Sequence, residues 1–440
     1  MTNEPDKLRT NDEAAQPSRL RSSFVNCHSS SPPTDTIALD QRHGWHPFTQ
    51  MRDWCAPGHE PLVLSEGEGA ILRDDKGREY IDGNSSIWTN LHGHRHPRLD
   101  AALRRQIDRV AHTSFLGFTN PPAAELAAKL CELWAGGKLT RCFFTDDGST
   151  AIEVALKMTT QFWQMRGEER REFVAFGGAY HGDTVGAASL GGISTFRGAW
   201  RFPVTHVGGM DELAQLDGKK VAAVCIEPLI QGAAGMRLWP AGMLAGLREW
   251  CDAHGALLIA DEVMTGFGRT GTMFACERES VAPDFVALAK GLTGGYLPLA
   301  ATLTTERVYE AFLGGPEQTL YYGHSYCGNQ LGCAVALENL AIFSEENVLL
   351  SLAGKIARLT TLLADLQNQS GIVAVRQCGF IAGIDVAANG AKVCIAARKY
   401  GLLTRPIRDT VVIMPPYCIT DAQLDAAISA IARAVADVCK

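Results

Sequence analysis

Along most of the chain, short runs of consecutive apolar residues alternate with longer stretches whose apolar positions recur at helical spacing. Arg141 to Thr145, Phe173 to Phe176, Val221 to Ile226 and Ala256 to Ala260 are runs of the first kind, each leaving through polar or glycine-rich residues. A strand covered on both faces reads this way, because neither set of alternating side chains meets water. Ala151 to Met165 and Gly242 to His254 carry the helical pattern. The alternation predicts an α/β fold, a mostly parallel sheet with helices on both faces. After Gly332 a helical stretch, short strands and a last helix from Ala422 to Val438 predict a second, smaller α+β domain. Residues 1 to about 40 lack apolar periodicity and are rich in Ser, Thr, Asn, Asp and Pro. Such a segment cannot bury enough surface to offset chain entropy, so a disordered tail is expected over residues 1–42. Order is expected from His43, where Trp45, Pro47 and Phe48 appear.

Bulk properties narrow the picture. A chain of 440 residues exceeds the usual single core, which fits two domains. The net charge of −7 argues against a nucleic-acid partner, which normally meets a basic face. The sequence has no apolar run of about 18 residues to span a membrane, and its N-terminus has no apolar core of a signal peptide. The 13 cysteines are scattered singly without a C-x-x-C pair, so neither a disulfide framework nor structural zinc is expected. Reduced thiols in a cytoplasmic protein fit them.

In open α/β sheets ligands bind beyond the carboxyl ends of the strands, so the strand exits carry the chemistry. Four exits stand out. The first, Thr145-Asp146-Asp147-Gly148-Ser149-Thr150, opens a helix. Gly148 allows close backbone approach, Ser149 is the expected cap, and the free N–H groups attract an anion. The second, Ala179-Tyr180-His181-Gly182, offers an aromatic beside small residues, able to lie flat on a planar ligand. The third places Asp261 directly after Leu257-Leu258-Ile259-Ala260, where a buried carboxylate needs a cationic partner such as a protonated pyridine. The fourth places Lys290 between Ala287-Leu288-Ala289 and Gly291, where desolvation lowers the amine's pKa and makes it a nucleophile. Singly, each has a commonplace reading: an N-cap, a core Tyr, a capping acid, a surface Lys. Jointly and in this order they are the parts needed to hold pyridoxal 5'-phosphate.

On these motifs the sequence resembles the class III aminotransferases of pyridoxal-phosphate fold type I, from about His43 to the C-terminus. The family's Asp-to-Lys spacing is matched by Asp261 and Lys290, 29 positions apart. The resemblance implies a large domain with a mostly parallel seven-stranded sheet, over residues 96–334, and a small α+β domain over 335–440. Residues 43–95 are expected to pack with the small domain. It further implies a homodimer with shared active sites. Lys290 matches the lysine that carries the cofactor, Asp261 the partner of the pyridine nitrogen, and Tyr180 the aromatic against the ring. Gly148 and Ser149 match the phosphate-binding pair. In Gly323-His324-Ser325, Ser325 stands for a Thr that reaches the phosphate across the dimer, beside His324.

Two other motifs lose to this reading. Gly266-Phe267-Gly268-Arg269-Thr270-Gly271 is a literal G-x-G-x-x-G, but a nicotinamide oxidoreductase needs an amphipathic helix next, and Thr272 to Pro283 offers none. The family carries the same segment as an active-site loop. His92, His94 and His96 lie without carboxylate or Cys ligands at metal spacing, and no metal is expected.

Within the class, four segments resemble the biotin-pathway branch, which aminates the ketone of 8-amino-7-oxononanoate. They are Trp45-His46-Pro47-Phe48-Thr49, Asp82-Gly83-Asn84-Ser85-Ser86-Ile87-Trp88, Leu403-Thr404-Arg405-Pro406 and Met414-Pro415-Pro416-Tyr417. That branch implies Arg405 as the guanidinium for the keto-acid carboxylate, with Phe48, Ile87, Trp88, Tyr180 and Gly323 around the substrates. Members using S-adenosylmethionine carry Tyr at the position of Phe48 and Trp-Trp at Ile87-Trp88, while the segments here look more like the L-lysine-using branch. The amine donor stays open between the two, and an ω-aminotransferase for other amines is the alternative.

Overall fold

The computed structural model describes residues 35–439, apart from 200 and 388. The tail expected over residues 1–34 lies outside the described residues. The chain divides into two units, the first ending at Val63 and the second running from Leu64. In the first, Thr36–His43 forms a helix whose N-cap Asp35 accepts from Ala38 N at 3.0 Å. None of the helix residues is buried. Asp40 accepts from Trp54 Nε1 at 2.8 Å and lies 2.9 Å from His46 Nε2. Capping and one shared carboxylate therefore order residues 36–42, whose composition suggested a tail. The same unit exposes Trp45 and Phe48.

The second unit is built on a seven-stranded sheet. From edge to edge its strands are Leu139–Thr145, Ala300–Thr305, Phe285–Leu288, Leu257–Asp261, Val221–Ile226, Glu172–Phe176 and Thr205–Val207. Ala300–Thr305 is antiparallel to both neighbours, and the other pairings are parallel. The unbroken apolar runs follow from two buried faces. Val224, Ile226, Leu258, Ala260, Val286 and Leu288 join one hydrophobic cluster, while Ala223, Cys225, Leu257, Ile259, Phe285 and Ala287 join another with the helix Gly148–Met165. Successive residues of a strand point to opposite faces, so one sequence run serves both clusters.

A second sheet, in the order Ile372–Cys378, Ile381–Val386, Thr410–Ile413 and Pro406–Ile407, is antiparallel. The helices Val348–Gln367, Gly390–Ala397 and Asp421–Val438 belong to this part of the chain. A third sheet holds the strands Leu64–Glu68, Ile71–Asp74 and Glu79–Asp82, to which Leu402–Leu403 adds in parallel. The strand Glu79–Asp82, just ahead of the segment Ser85 to Trp88, is thus tied to the stretch that carries Arg405. Among the described residues no single helix is long and apolar enough to cross a membrane.

Candidate active site

A cavity of about 460 Å³ opens at the carboxyl ends of the central strands, and Gly148, Ser149, Tyr180, Asp261, Lys290 and Trp88 all line it. Asp261 ends one strand, and Lys290 follows the next with one residue, Ala289, between. Asp261 sits opposite Ala287 in that parallel pair, so carboxylate and amine reach the same edge side by side. Asp261 is 5% exposed. Its Oδ1 accepts from Val263 N at 3.1 Å, and its Oδ2 lies 2.8 Å from His181 Nδ1. Burial penalises a charged imidazole at His181, yet Cys225 and the Asp261 carboxylate outweigh it and hold His181 well above its ordinary value. The pair is a buried ion pair with its anionic end at the cavity.

Lys290 has φ +44°, left-handed backbone that a non-glycine residue adopts at a cost on the order of 1 kcal/mol. Burial lowers the pKa of its amine, opposed by the nearby Asp261 and Glu227 carboxyls. Its Nζ lies 4.9 Å from the centre of the Trp88 ring. Trp88 ends a run of four left-handed residues, Ser85 to Trp88, with φ from 46° to 70°. Tertiary bonds hold that run: Ser85 Oγ donates to Met414 O at 2.7 Å, and Asp82 accepts from Ser86 N and Oγ at 2.9 and 2.8 Å.

Tyr180 N donates to Glu227 Oε2 at 3.1 Å, and its hydroxyl donates to Asp183 Oδ2 at 2.6 Å. Burial first, then the bond to Asp183, raises the phenol's pKa, while Arg405 lowers it. Arg405 is exposed, close behind Leu402–Leu403, and does not line the cavity. The helix Gly148–Met165 is capped by Asp147, not by Ser149: the Asp147 side chain accepts from Thr150 N at 3.0 Å. Asp147 has extended backbone, the torsion an N-cap needs, whereas Ser149 is already helical. Ser149 Oγ instead accepts from Asp183 N at 3.1 Å. Gly182, at φ +126°, makes that approach possible, since a Cβ there would lie 2.3 Å from Ser149 Oγ.

Of the remaining sequence candidates in the second unit, Ile87, Gly323, His324 and Ser325 do not line the cavity. Ile87 is 42% exposed, and Gly323 and Ser325 are exposed. His324 Nδ1 lies 2.8 Å from Asp146 Oδ2, beside the helix start. Phe48 belongs to the first unit. The Gly266–Gly271 segment is followed by the short helix Ala275–Glu279 and buries Arg269, whose guanidinium donates to Pro415 O and Asn90 O. It ties the loops at Asn90 and Pro415 together and presents no dinucleotide turn.

Glu227 was not singled out by sequence, although it follows the fully apolar run Val221–Ile226 as Asp261 follows its own. Burial pushes its carboxyl up to about 7, and it also accepts from Gly232 N at 2.9 Å. The histidines of the 92–96 stretch have partners of their own. His94 Nε2 lies 2.9 Å from Asp82 Oδ2, and His92 Nε2 lies 2.7 Å from Asn339 Oδ1.

The family described as "Aminotransferase class-III" matches residues 54–435. A relative named adenosylmethionine-8-amino-7-oxononanoate aminotransferase, from Nitratidesulfovibrio vulgaris strain Hildenborough, is 45% identical, covering 90% of this chain and 81% of the relative. The solved structure of the protein of that name from Methanocaldococcus jannaschii superposes with a TM-score of 0.88 at 36% identity, covering 91% of this chain and 98% of that one. An amine transaminase from an uncultivated Pseudomonas species, solved in its PLP-bound form, gives a TM-score of 0.84 at 31% identity, covering 90% and 98%. With its seven-stranded, mostly parallel sheet and its paired Asp261 and Lys290 at one cavity, the chain belongs to the class III aminotransferases.

Proposed function

We propose that the chain uses pyridoxal 5'-phosphate to transfer an amino group to 8-amino-7-oxononanoate, giving 7,8-diaminononanoate for biotin biosynthesis. One observation carries the cofactor reading: Asp261 and Lys290 leave adjacent parallel strands into one cavity, backed by His181. The acceptor is supported by the name of the relative at 45% identity.

The residues present fit this cofactor. Asp146 Oδ1 and Trp88 Nε1, on the cavity wall, have no hydrogen-bond partner among the described residues although both are buried. The Gly148 end of an 18-residue helix supplies N–H groups and positive dipole for a phosphate. Bound there, pyridoxal phosphate supplies an electron sink for the carbon that loses its proton. Asp261, bonded to His181, would face the pyridine nitrogen and favour its protonated form. Lys290 would hold the cofactor covalently, and its free amine could carry the proton at Nζ, since burial favours its neutral form. Tyr180, fixed by Glu227 at its amide and Asp183 at its hydroxyl, would lie against the ring.

Arg405 pairs with the acceptor's carboxylate, at the far end of an apolar chain from the ketone. Its match to the Arg-Pro segment of the biotin-pathway branch supports this role. Arg405→Ala is expected to lower kcat/KM for 8-amino-7-oxononanoate by about 2 kcal/mol, roughly 30-fold, the scale of a lost charge-assisted bond. The donor half-reaction should be almost untouched. Single-turnover kinetics of the two halves check this, and equal damage to both contradicts it.

The working unit is a homodimer, in which Ser325 serves the partner's phosphate site. The exposed Leu116, Phe118, Tyr321 and Tyr326 support a covered face near them. A monomeric mass by light scattering, at assay concentration, overturns the dimer. The function itself is tested by assaying the purified, cofactor-loaded chain with 8-amino-7-oxononanoate against S-adenosylmethionine, L-lysine and simple ω-amines. Formation of 7,8-diaminononanoate with either of the first two is expected. Turnover of simple amines with no use of 8-amino-7-oxononanoate replaces this reading with an ω-aminotransferase.

A further inference from the structure

Lys290 opens a short turn, Lys290–Thr293, whose first residue has left-handed backbone that its side chain disfavours. Something outside the turn must hold it. Asn339, on the helix Gln330–Glu345, is completely buried and points its amide at this turn. Its Nδ2 donates to Gly291 O and to Leu292 O, both at 3.0 Å. Its Oδ1 lies 2.7 Å from His92 Nε2. The two carbonyls can only accept, so the NH₂ group must face them and the carbonyl oxygen must face His92. Burial pulls His92 down to about 4, so the ring is neutral near pH 7 and donates from Nε2. Every polar atom of the Asn339 amide is thereby used in one orientation.

The same contacts reach the other wall of the cavity. His92 follows Trp88 by four residues, and Leu91 N donates to Gly294 O at 3.4 Å. The lysine turn and the loop bearing Trp88 are thus joined through one buried amide. We propose that Asn339, braced by His92, is a positioning residue that aims Lys290 Nζ at the cofactor. This rests on the reading of Lys290 as the cofactor-bearing amine.

The experiment uses Asn339→Ser, which keeps one donor and small volume, and Asn339→Ala. With pyridoxal phosphate added to each chain, borohydride fixation at residue 290 is followed by peptide mapping, and the proton-transfer step by single-turnover kinetics. Fixation and proton transfer are each expected to slow 10- to 100-fold in Asn339→Ala, the scale of a misplacement near 1 Å. Asn339→Ser should fall in between. His92→Gln, which retains a neutral donor, should stay within about threefold of wild type, whereas His92→Leu should not.

A Lys290→Ala chain supplied with methylamine as replacement base separates positioning from general damage. Adding Asn339→Ala there is expected to leave the methylamine-dependent rate unchanged. An equal loss in both backgrounds, or wild-type fixation in Asn339→Ala, overturns the inference while leaving Lys290 in place. Fixation of the cofactor at another lysine in the wild-type chain removes the Lys290 reading and this inference together.

Discussion

Lys290→Ala is expected to fold, to bind pyridoxal phosphate without covalent attachment and to lose activity by about 10⁴-fold or more. The size follows from two roles held by one amine, since general acid–base transfer alone contributes about 10²- to 10⁴-fold. Both roles depend on burial, which lowers the amine's pKa and raises its neutral fraction. The fold should survive because the strand before it, Phe285–Leu288, is fully buried by its own side chains and makes no use of Nζ. Removing a desolvated amine also relieves a cost the folded state carries, so stability without cofactor should stay within about 1 kcal/mol of wild type. Borohydride treatment and peptide mapping check the attachment, and circular dichroism with thermal melts checks the fold. A covalent cofactor still found in the variant would falsify the assignment.

The central site was readable because of a simple rule. A polar residue that directly follows a wholly apolar strand in a doubly covered parallel sheet must emerge at the carboxyl edge. Asp261 and Lys290 obey it, and both line the cavity. Glu227 obeys it equally, behind Val221–Ile226. Its partners, the amides of Tyr180 and Gly232, belong to loops whose path no local pattern reveals. The helix cap was misassigned for a related reason. Asp147 and Ser149 are both good capping residues two positions apart, and only backbone torsion decides between them.

The left-handed run Ser85 to Trp88 marks a harder limit. Nothing in Ser-Ser-Ile-Trp favours positive φ, and Ile, being β-branched, resists it. The conformation is imposed by Met414 O and Asp82, the former 329 positions away from Ser85. Trp88 was named through resemblance, and its place over Lys290 is a product of that long-range tie. The antiparallel strand Ala300–Thr305 also escaped notice, because its run Ala300-Ala301-Thr302-Leu303-Thr304-Thr305 mixes Thr with small residues. Both Thr302 and Thr304 are buried, with hydroxyls donating to Ala151 O and Asp284 O. Buried hydroxyls satisfied by backbone look polar in sequence and apolar in structure.

Asp261→Asn is the second substitution expected to abolish most turnover, by at least about 100-fold in kcat/KM, or ~3 kcal/mol. The neutral amide can still bond a neutral pyridine, but it cannot favour the protonated ring that draws electrons from the reacting carbon. The effect should appear on His181 as well. In the wild type the Asp261 carboxylate helps hold His181 well above its ordinary pKa, against the penalty of burial. Without it, only Cys225 still opposes burial, and the imidazole's pKa should fall. The sign for stability follows: a raised folded-state pKa contributes stability that is fully present below about pH 6.5 and fades as pH rises through the folded value. The variant should therefore be destabilised most at pH 5 to 6, and the gap to wild type should narrow toward alkaline pH. Histidine NMR titration and thermal melts across that range test this independently of activity. Near-normal turnover, or a His181 titration unmoved by the substitution, removes Asp261 from the role assigned to it.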